Sequence, residues 1–195
     1  MKTKLIGVIA ALGLAFATAA SAASVKLTPA NPQPSGLKPG LSVTYGWLGT
    51  PPQKFQSLSG ARSFVDSNGK RGAPLRGLDY RDTNDGDPVM THKQHYNVAA
   101  KIGGYIKFDA PGTYDLEVWS NDGVDARVSG QSIGLFDGRQ GCEPNQRVTA
   151  IVPKAGWYDL KLYYYQKYGT SCLMMKWAPS GSKMKWVPNS AFAYR

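Results

Sequence analysis

The residues best suited to chemistry are acidic, and they fall into three groups. In "DYRDTNDGD", Asp79, Asp82, Asn84, Asp85 and Asp87 supply the carboxylate and amide oxygens that a hard cation takes as ligands. Counted as an EF-hand loop from Asp82, Gly86 falls one place early and the distal acidic position is missing. A loop rich in turn residues explains the stretch as well. The second group is Asn121, Asp122 and Asp125 in "WSNDGVDARVSG", and the third joins Asp137 with Glu143. Asp115 and Glu117 share one strand face and could form the paired carboxylates of a hydrolase. No catalytic motif surrounds them, so the chain reads as non-enzymatic. His92 and His95 form His-x-x-His, but no further Cys or His is free to complete a tetrahedral zinc set.

The first 22 residues read as an export signal. Lys2 and Lys4 precede an apolar run over 5–17, and Ala20-Ser21-Ala22 has the small-x-small form of a cleavage site. The run is shorter than the roughly 20 residues a bilayer span needs, so no membrane span is expected. The reading is an exported protein, periplasmic or secreted. In such a compartment the two cysteines, Cys142 and Cys172, most simply form one disulfide. Closing a loop of that length contributes roughly 3 to 4 kcal/mol in the chain-entropy picture. The net charge of +10 falls to +8 once Lys2 and Lys4 are removed. That sign favours acidic partners, and outside the cytoplasm these are acidic polysaccharide, lipopolysaccharide or an anionic membrane face, with no nucleic acid expected.

These groups must be positioned by strands. Residues 23–38, with Pro29, Pro32 and Pro34, read as a Pro-rich lead-in or spacer, and "LSVTYGW" alternates as a strand. The region 48–91 lacks sustained periodicity and reads as loops with short strands, without a helix. Beyond Tyr96, short apolar runs end regularly at "DAPG", "NDG", "SG", "DG", "PKAG" and "APSG". That punctuation predicts an all-β antiparallel sandwich or barrel over 39–195. Period two places Tyr158, Leu160, Leu162 and Tyr164 on a core face, and Trp157, Asp159, Lys161, Tyr163 and Tyr165 on the other. The Asn121-Asp122-Gly123 step, between alternating segments, predicts a hairpin turn, because all three residues tolerate positive φ.

"GGYIKFDAPGTYDLEVWSNDGVDARVSG", "PKAGWYDLKLYYYQKYGTSCLMMKWAPSG" and "WVPNSAFAY" together resemble the PA-fourteen domain, the β-barrel module named after a bacterial toxin protective antigen. "PGLSVTYGW" resembles that family's opening strand, so the similarity covers 39–194. The resemblance implies a β-sandwich barrel and a carbohydrate-binding or cell-surface interaction module. In sugar-binding members two consecutive Asp residues hold calcium, which chelates sugar hydroxyls. The matching positions here are Asn121 and Asp122, with one negative charge missing and an amide oxygen kept. Calcium is thus the candidate cofactor and a glycan or cell-surface polysaccharide the candidate partner. Trp119, Tyr163 and Tyr165 are the candidate ligand-binding rings, and further ligands are expected from 137–145 and 165–171. The alternative is a calcium-independent protein or polyanion interaction domain with a purely structural turn, its basic contacts being Lys176, Lys183, Lys185 and Arg195.

Overall fold

A computed structural model describes residues 24–195; the export signal lies outside the described residues. The chain runs through β1 (Ser24–Lys26), β2 (Lys38–Pro39), β3 (Ser42–Trp47), α1 (Leu58–Asn68), β4 (Lys70–Arg71) and β5 (Asp79–Tyr80). Then follow β6 (Val98–Phe108), β7 (Gly112–Asn121), β8 (Gly123–Val128), β9 (Gln131–Phe136) and β10 (Glu143–Pro144). The last are β11 (Val148–Val152), β12 (Gly156–Gln166), β13 (Cys172–Pro179), β14 (Lys185–Trp186) and β15 (Phe192–Tyr194).

The strands form two sheets. One has the order β1-β11-β7-β13-β14, with β10 also on β7 and β5 on β13. The other has the order β2-β15-β6-β12-β8-β9, with β3 also on β6 and β4 on β3. All pairings are antiparallel except β1 with β11. The predicted faces of β12 are as expected: Tyr158, Leu160, Leu162 and Tyr164 enter the core between the sheets, beside Ile102, Ile106, Leu116, Val118 and Met175. Burying such side chains is the main force holding the sheets together.

One segment differs from its sequence reading. A helix, α1, occupies 58–68 of the region read as loops. Its buried residues Leu58, Ala61 and Val65 recur at helical spacing, and Ser57 caps it by accepting from the Gly60 amide at 3.1 Å. Eleven residues with three buried anchors are too short a window for the period to stand out. Of the two alternatives for the Pro-rich segment, lead-in or spacer, the contacts are those of a lead-in stitched to the body. The Leu27 side chain is buried, the Leu27 amide donates to Ile151 O at 2.9 Å, and the Trp157 amide donates to Gln33 Oε1 at 2.8 Å. Prolines removed the periodicity there, but not the donors and acceptors that extended backbone offers an edge.

Helix α1 covers the outer face of the second sheet and builds a second cluster from Phe55, Leu58, Ala61, Val65, Ala99, Tyr163 and Tyr165. Burial pushes the Tyr165 and Tyr45 hydroxyls up to about 12. Both folded values lie above the unfolded one, so the stability these groups contribute is present below about pH 10 and is lost as pH rises through about 12. Alkaline unfolding is therefore expected to coincide with tyrosinate absorbance across that window. Full ionisation of every tyrosine near pH 10 with the fold intact would contradict it.

Candidate functional site

Asn121, Asp122 and Gly123 connect β7 of one sheet to β8 of the other, so the step is an arch between sheets and not a hairpin. An arch and a hairpin both need a compact connection between alternating strands, which is why local pattern did not separate them. The hairpin joins β8 to β9, at Ser129 (φ 52) and Gly130 (φ 77). Gly123 serves close approach: a Cβ there would lie 2.3 Å from the ring of Tyr165, its partner across β8 and β12. The Asn121–Asp122 peptide is cis.

Asp122 is 1% exposed and sits where two loops meet. Its Oδ1 accepts from the Gln140 amide at 3.2 Å and its Oδ2 from the Lys167 amide at 2.9 Å. One carboxylate thus holds the loop 137–145 and the loop 167–171 together. The Cys142–Cys172 disulfide fastens the same two regions covalently. Further ties set each loop. Gln140 Nε2 donates to Ser120 O at 2.9 Å, Tyr165 Oη donates to Gly138 O at 2.9 Å, and Gln166 Nε2 donates to Tyr168 O at 2.9 Å. Asn121, 5% exposed, donates through Nδ2 to Thr170 Oγ1 at 2.9 Å, and its carbonyl accepts from Tyr164 Oη.

Between these loops lies a pocket of about 340 Å³, lined by Asn121, Asp122, Arg139, Gln140, Gly141, Tyr168, Gly169 and Thr170. Burial pushes the Asp122 carboxyl above its ordinary range. The Lys167 and Gln140 amides, and the positive charges of Lys167 and Arg139, pull it the other way.

The structure places the other candidate residues elsewhere. Tyr163 and Tyr165 are buried under α1, where Tyr163 Oη donates to Asp66 Oδ2 at 3.0 Å and Tyr165 packs on Phe55. Neither lines the pocket, because an outward position on β12 is covered by a helix that the periodicity did not reveal. Trp119 stands on the outer face of the first sheet, donating through Nε1 to Glu117 Oε1 at 2.8 Å, and it does not line the pocket either. Its ring meets Trp186 at 5.9 Å, and Lys176 Nζ lies 4.4 Å from its centroid. Of the basic candidates, Lys176 and Lys185 lie on β13 and β14 of the first sheet, Lys183 just precedes β14, and Arg195 follows β15 of the second sheet, over Tyr105 at 6.0 Å.

The acidic groups are dispersed as well. Asp125 pairs with Arg62 and Arg127, Asp137 accepts from the Leu58 amide at the start of α1, and Asp79 pairs with Arg81. Asp115 accepts from Thr149 and Ser180, and Glu117 pairs with Arg147. His92 Nδ1 accepts from the Gln94 amide, and His95 packs on Tyr96. Sequence reasoning pointed to both pocket loops but not to Arg139, Gln140, Tyr168 or Thr170. The Arg-Gln-Gly and Tyr-Gly-Thr steps flanking the two cysteines were the available signal.

Calcium, which the resemblance implies at this place, is held by several oxygen ligands and tightened by their negative charge. The pocket offers one carboxylate, with both oxygens already accepting backbone amides, an amide side chain whose Nδ2 is engaged with Thr170 so that only its neutral Oδ1 is left to ligate, and a guanidinium on its wall. Among the described residues, no three His, Cys, Asp or Glu side chains gather as a metal-binding group. This donor set does not fit a tightly held calcium ion.

A sandwich of two sheets whose connecting loops build a polar pocket beside a buried Asp defines the class of module. The chain belongs to the PA14 domain family, whose model matches residues 79–191. The fold is similar to the PA14 domain of the MpAFP antifreeze protein (TM-score 0.67, 16% identity, 86% of this chain and 96% of that one). It is also similar to the PA14 sugar-binding domain of an RTX adhesin (TM-score 0.64, 16% identity, 80% and 99%). A third similar structure is the Epithelial Adhesin 9 A domain of Candida glabrata in complex with Galb1-3GlcNAc (TM-score 0.64, 12% identity, 88% and 95%). No curated protein matches the sequence. No helix among the described residues is long and apolar enough to cross a membrane.

Proposed function

We propose that this protein is an exported, non-enzymatic carbohydrate-binding module that seats a glycan in the Asp122 pocket without calcium. The observation that carries this reading is the pocket itself, in which a buried carboxylate gathers two loops around hydroxyl, amide, guanidinium and phenol groups. Arg139 and Gln140 suit the oxygens of a sugar as donors, Thr170 both donates and accepts, and the Tyr168 ring suits an apolar sugar face. Tyr168 is held for this by its hydroxyl, which donates to Gln53 O at 2.6 Å. The sugar-binding RTX adhesin domain and the glycan-bound Epithelial Adhesin 9 domain support the ligand class. Export is supported by the leader pattern and by a disulfide, a bond that persists in oxidising compartments. The absence of chemistry is supported by Asp115 and Glu117, which are engaged by their own neighbours.

A glycan array probed with the mature protein, in calcium and in chelator, tests the reading. Capture of neutral glycans equally in both buffers, and its loss in Arg139→Ala, is expected. Silence on the array in both buffers would sink the lectin reading, and capture abolished by chelator would sink its calcium-free form.

A further inference from the structure

The outer face of the second sheet carries a second candidate site that shares no residue with the Asp122 pocket. Gly103 of β6 lies between Ser42 of β3 and Lys161 of β12 in one cross-strand row. A Cβ added at Gly103 would meet only Ser42 Oγ, at 3.5 Å. The missing side chain leaves a trough of about 470 Å³ whose floor is the strand backbone. Lys101, Lys161, Tyr105, Asp159 and Arg195 line it, with Asp159 across from Tyr105 and Lys161 across from Gly103. Lys101 pairs with Asp66 at 2.7 Å, whereas Lys161 and Arg195 form no ion pair among the described residues and lie over tyrosine rings. Arg127 follows Lys161 in the same row, and Arg71 lies across from Thr44 at the other edge. A glycine in the middle of a four-strand row weakens a sheet, and here it leaves the backbone open to close approach.

We propose that this trough binds an unbranched acidic polysaccharide of the polyuronate class. Two cations without acidic partners complement the carboxylates of such a chain, while Ser42, Thr44 and Asp159 suit the hydroxyls between them. Charge density separates this ligand from duplex nucleic acid. A duplex carries one charge per roughly 1.7 Å of axis, which a trough holding its own carboxylate, Asp159, opposes. A uronate chain carries one charge per sugar.

The test is calorimetric titration of the mature protein with a galacturonate hexasaccharide, at low and at high salt, with a neutral galactose oligomer and a short DNA duplex as comparison probes. Binding of the uronate that weakens with salt, and exceeds binding of both comparison probes, is expected. Lys161→Glu and Gly103→Val should each weaken it at least roughly tenfold. A β-branched residue suits this open strand position, so an unchanged melting temperature in Gly103→Val will show that the sheet is intact. Arg139→Ala, which alters the other pocket, should keep the uronate affinity, so failure of one site is distinguishable from failure of the other. No binding by the parent, salt-independent binding, an affinity in both trough variants equal to the parent's, or tighter binding of the DNA duplex would each overturn the proposal.

Discussion

Replacing Asp122 with alanine is expected to destabilise the protein by about 2–4 kcal/mol and to abolish glycan capture. Two backbone amides, those of Gln140 and Lys167, lose their acceptor, and each buried donor left unpaired costs roughly 1–3 kcal/mol. Part of that loss is offset, because a buried carboxylate is itself costly to keep charged. The loops 137–145 and 167–171 would remain joined by the disulfide but lose their register around the pocket. Denaturant midpoints and array binding measured side by side check both arms; a variant as stable as the parent would refute the organising role of Asp122. The pH dependence gives a further arm. The folded Asp122 carboxyl titrates above its unfolded value of 3.8, so the folded chain takes up the proton first. Relative to the alanine variant, the parent's stability should rise as pH falls through that raised value, and be lost again as pH rises.

Changing Asn121 to Asp is expected to create the calcium dependence that the parent lacks. A second carboxylate beside Asp122, at a position 5% exposed, is an uncompensated buried charge costing about 3 kcal/mol. A calcium ion between the two carboxylates would offset it, since ligand at a hundredfold its Kd contributes about 2.7 kcal/mol. The variant should therefore melt lower than the parent in chelator and return towards the parent's melting temperature in calcium. The parent should melt identically in both. Calcium-dependent melting of the parent would show that one carboxylate suffices here, and a variant indifferent to calcium would show that the pocket lacks the remaining ligands.

How much of this was legible in the residues depends on the range over which each signal acts. The faces of β12 follow from period two alone, since a strand between two layers must alternate. The Cys142–Cys172 pair follows from there being only two cysteines. The arch at Asn121-Asp122-Gly123 does not follow, because whether β8 turns back on β7 or crosses to the opposite sheet is decided by partners far along the chain, here β12 and β13. Tyr163 and Tyr165 were expected to face a ligand for the same reason. Their outward direction is local, but α1, which covers them, comes about a hundred residues earlier in the sequence. Arg139 and Tyr168 carry no periodic signal, because loops place side chains through contacts such as Tyr168 Oη to Gln53 O that no spacing rule encodes.

The disulfide also changes how the molecule would respond to tension. A force applied along the backbone from both directions passes through the Cys142–Cys172 link, 30 positions apart in sequence, and bypasses the stretch it encloses. β11 and β12 lie inside that shielded stretch, and β12 is the strand that holds β6 and β8 to the second sheet. Lys167 and Tyr168 lie inside it too, while Asp122 and Arg139 lie outside. Strain reaching the pocket would therefore act on one wall only, through the turn at Asp122, while the opposite wall stays slack behind the covalent link.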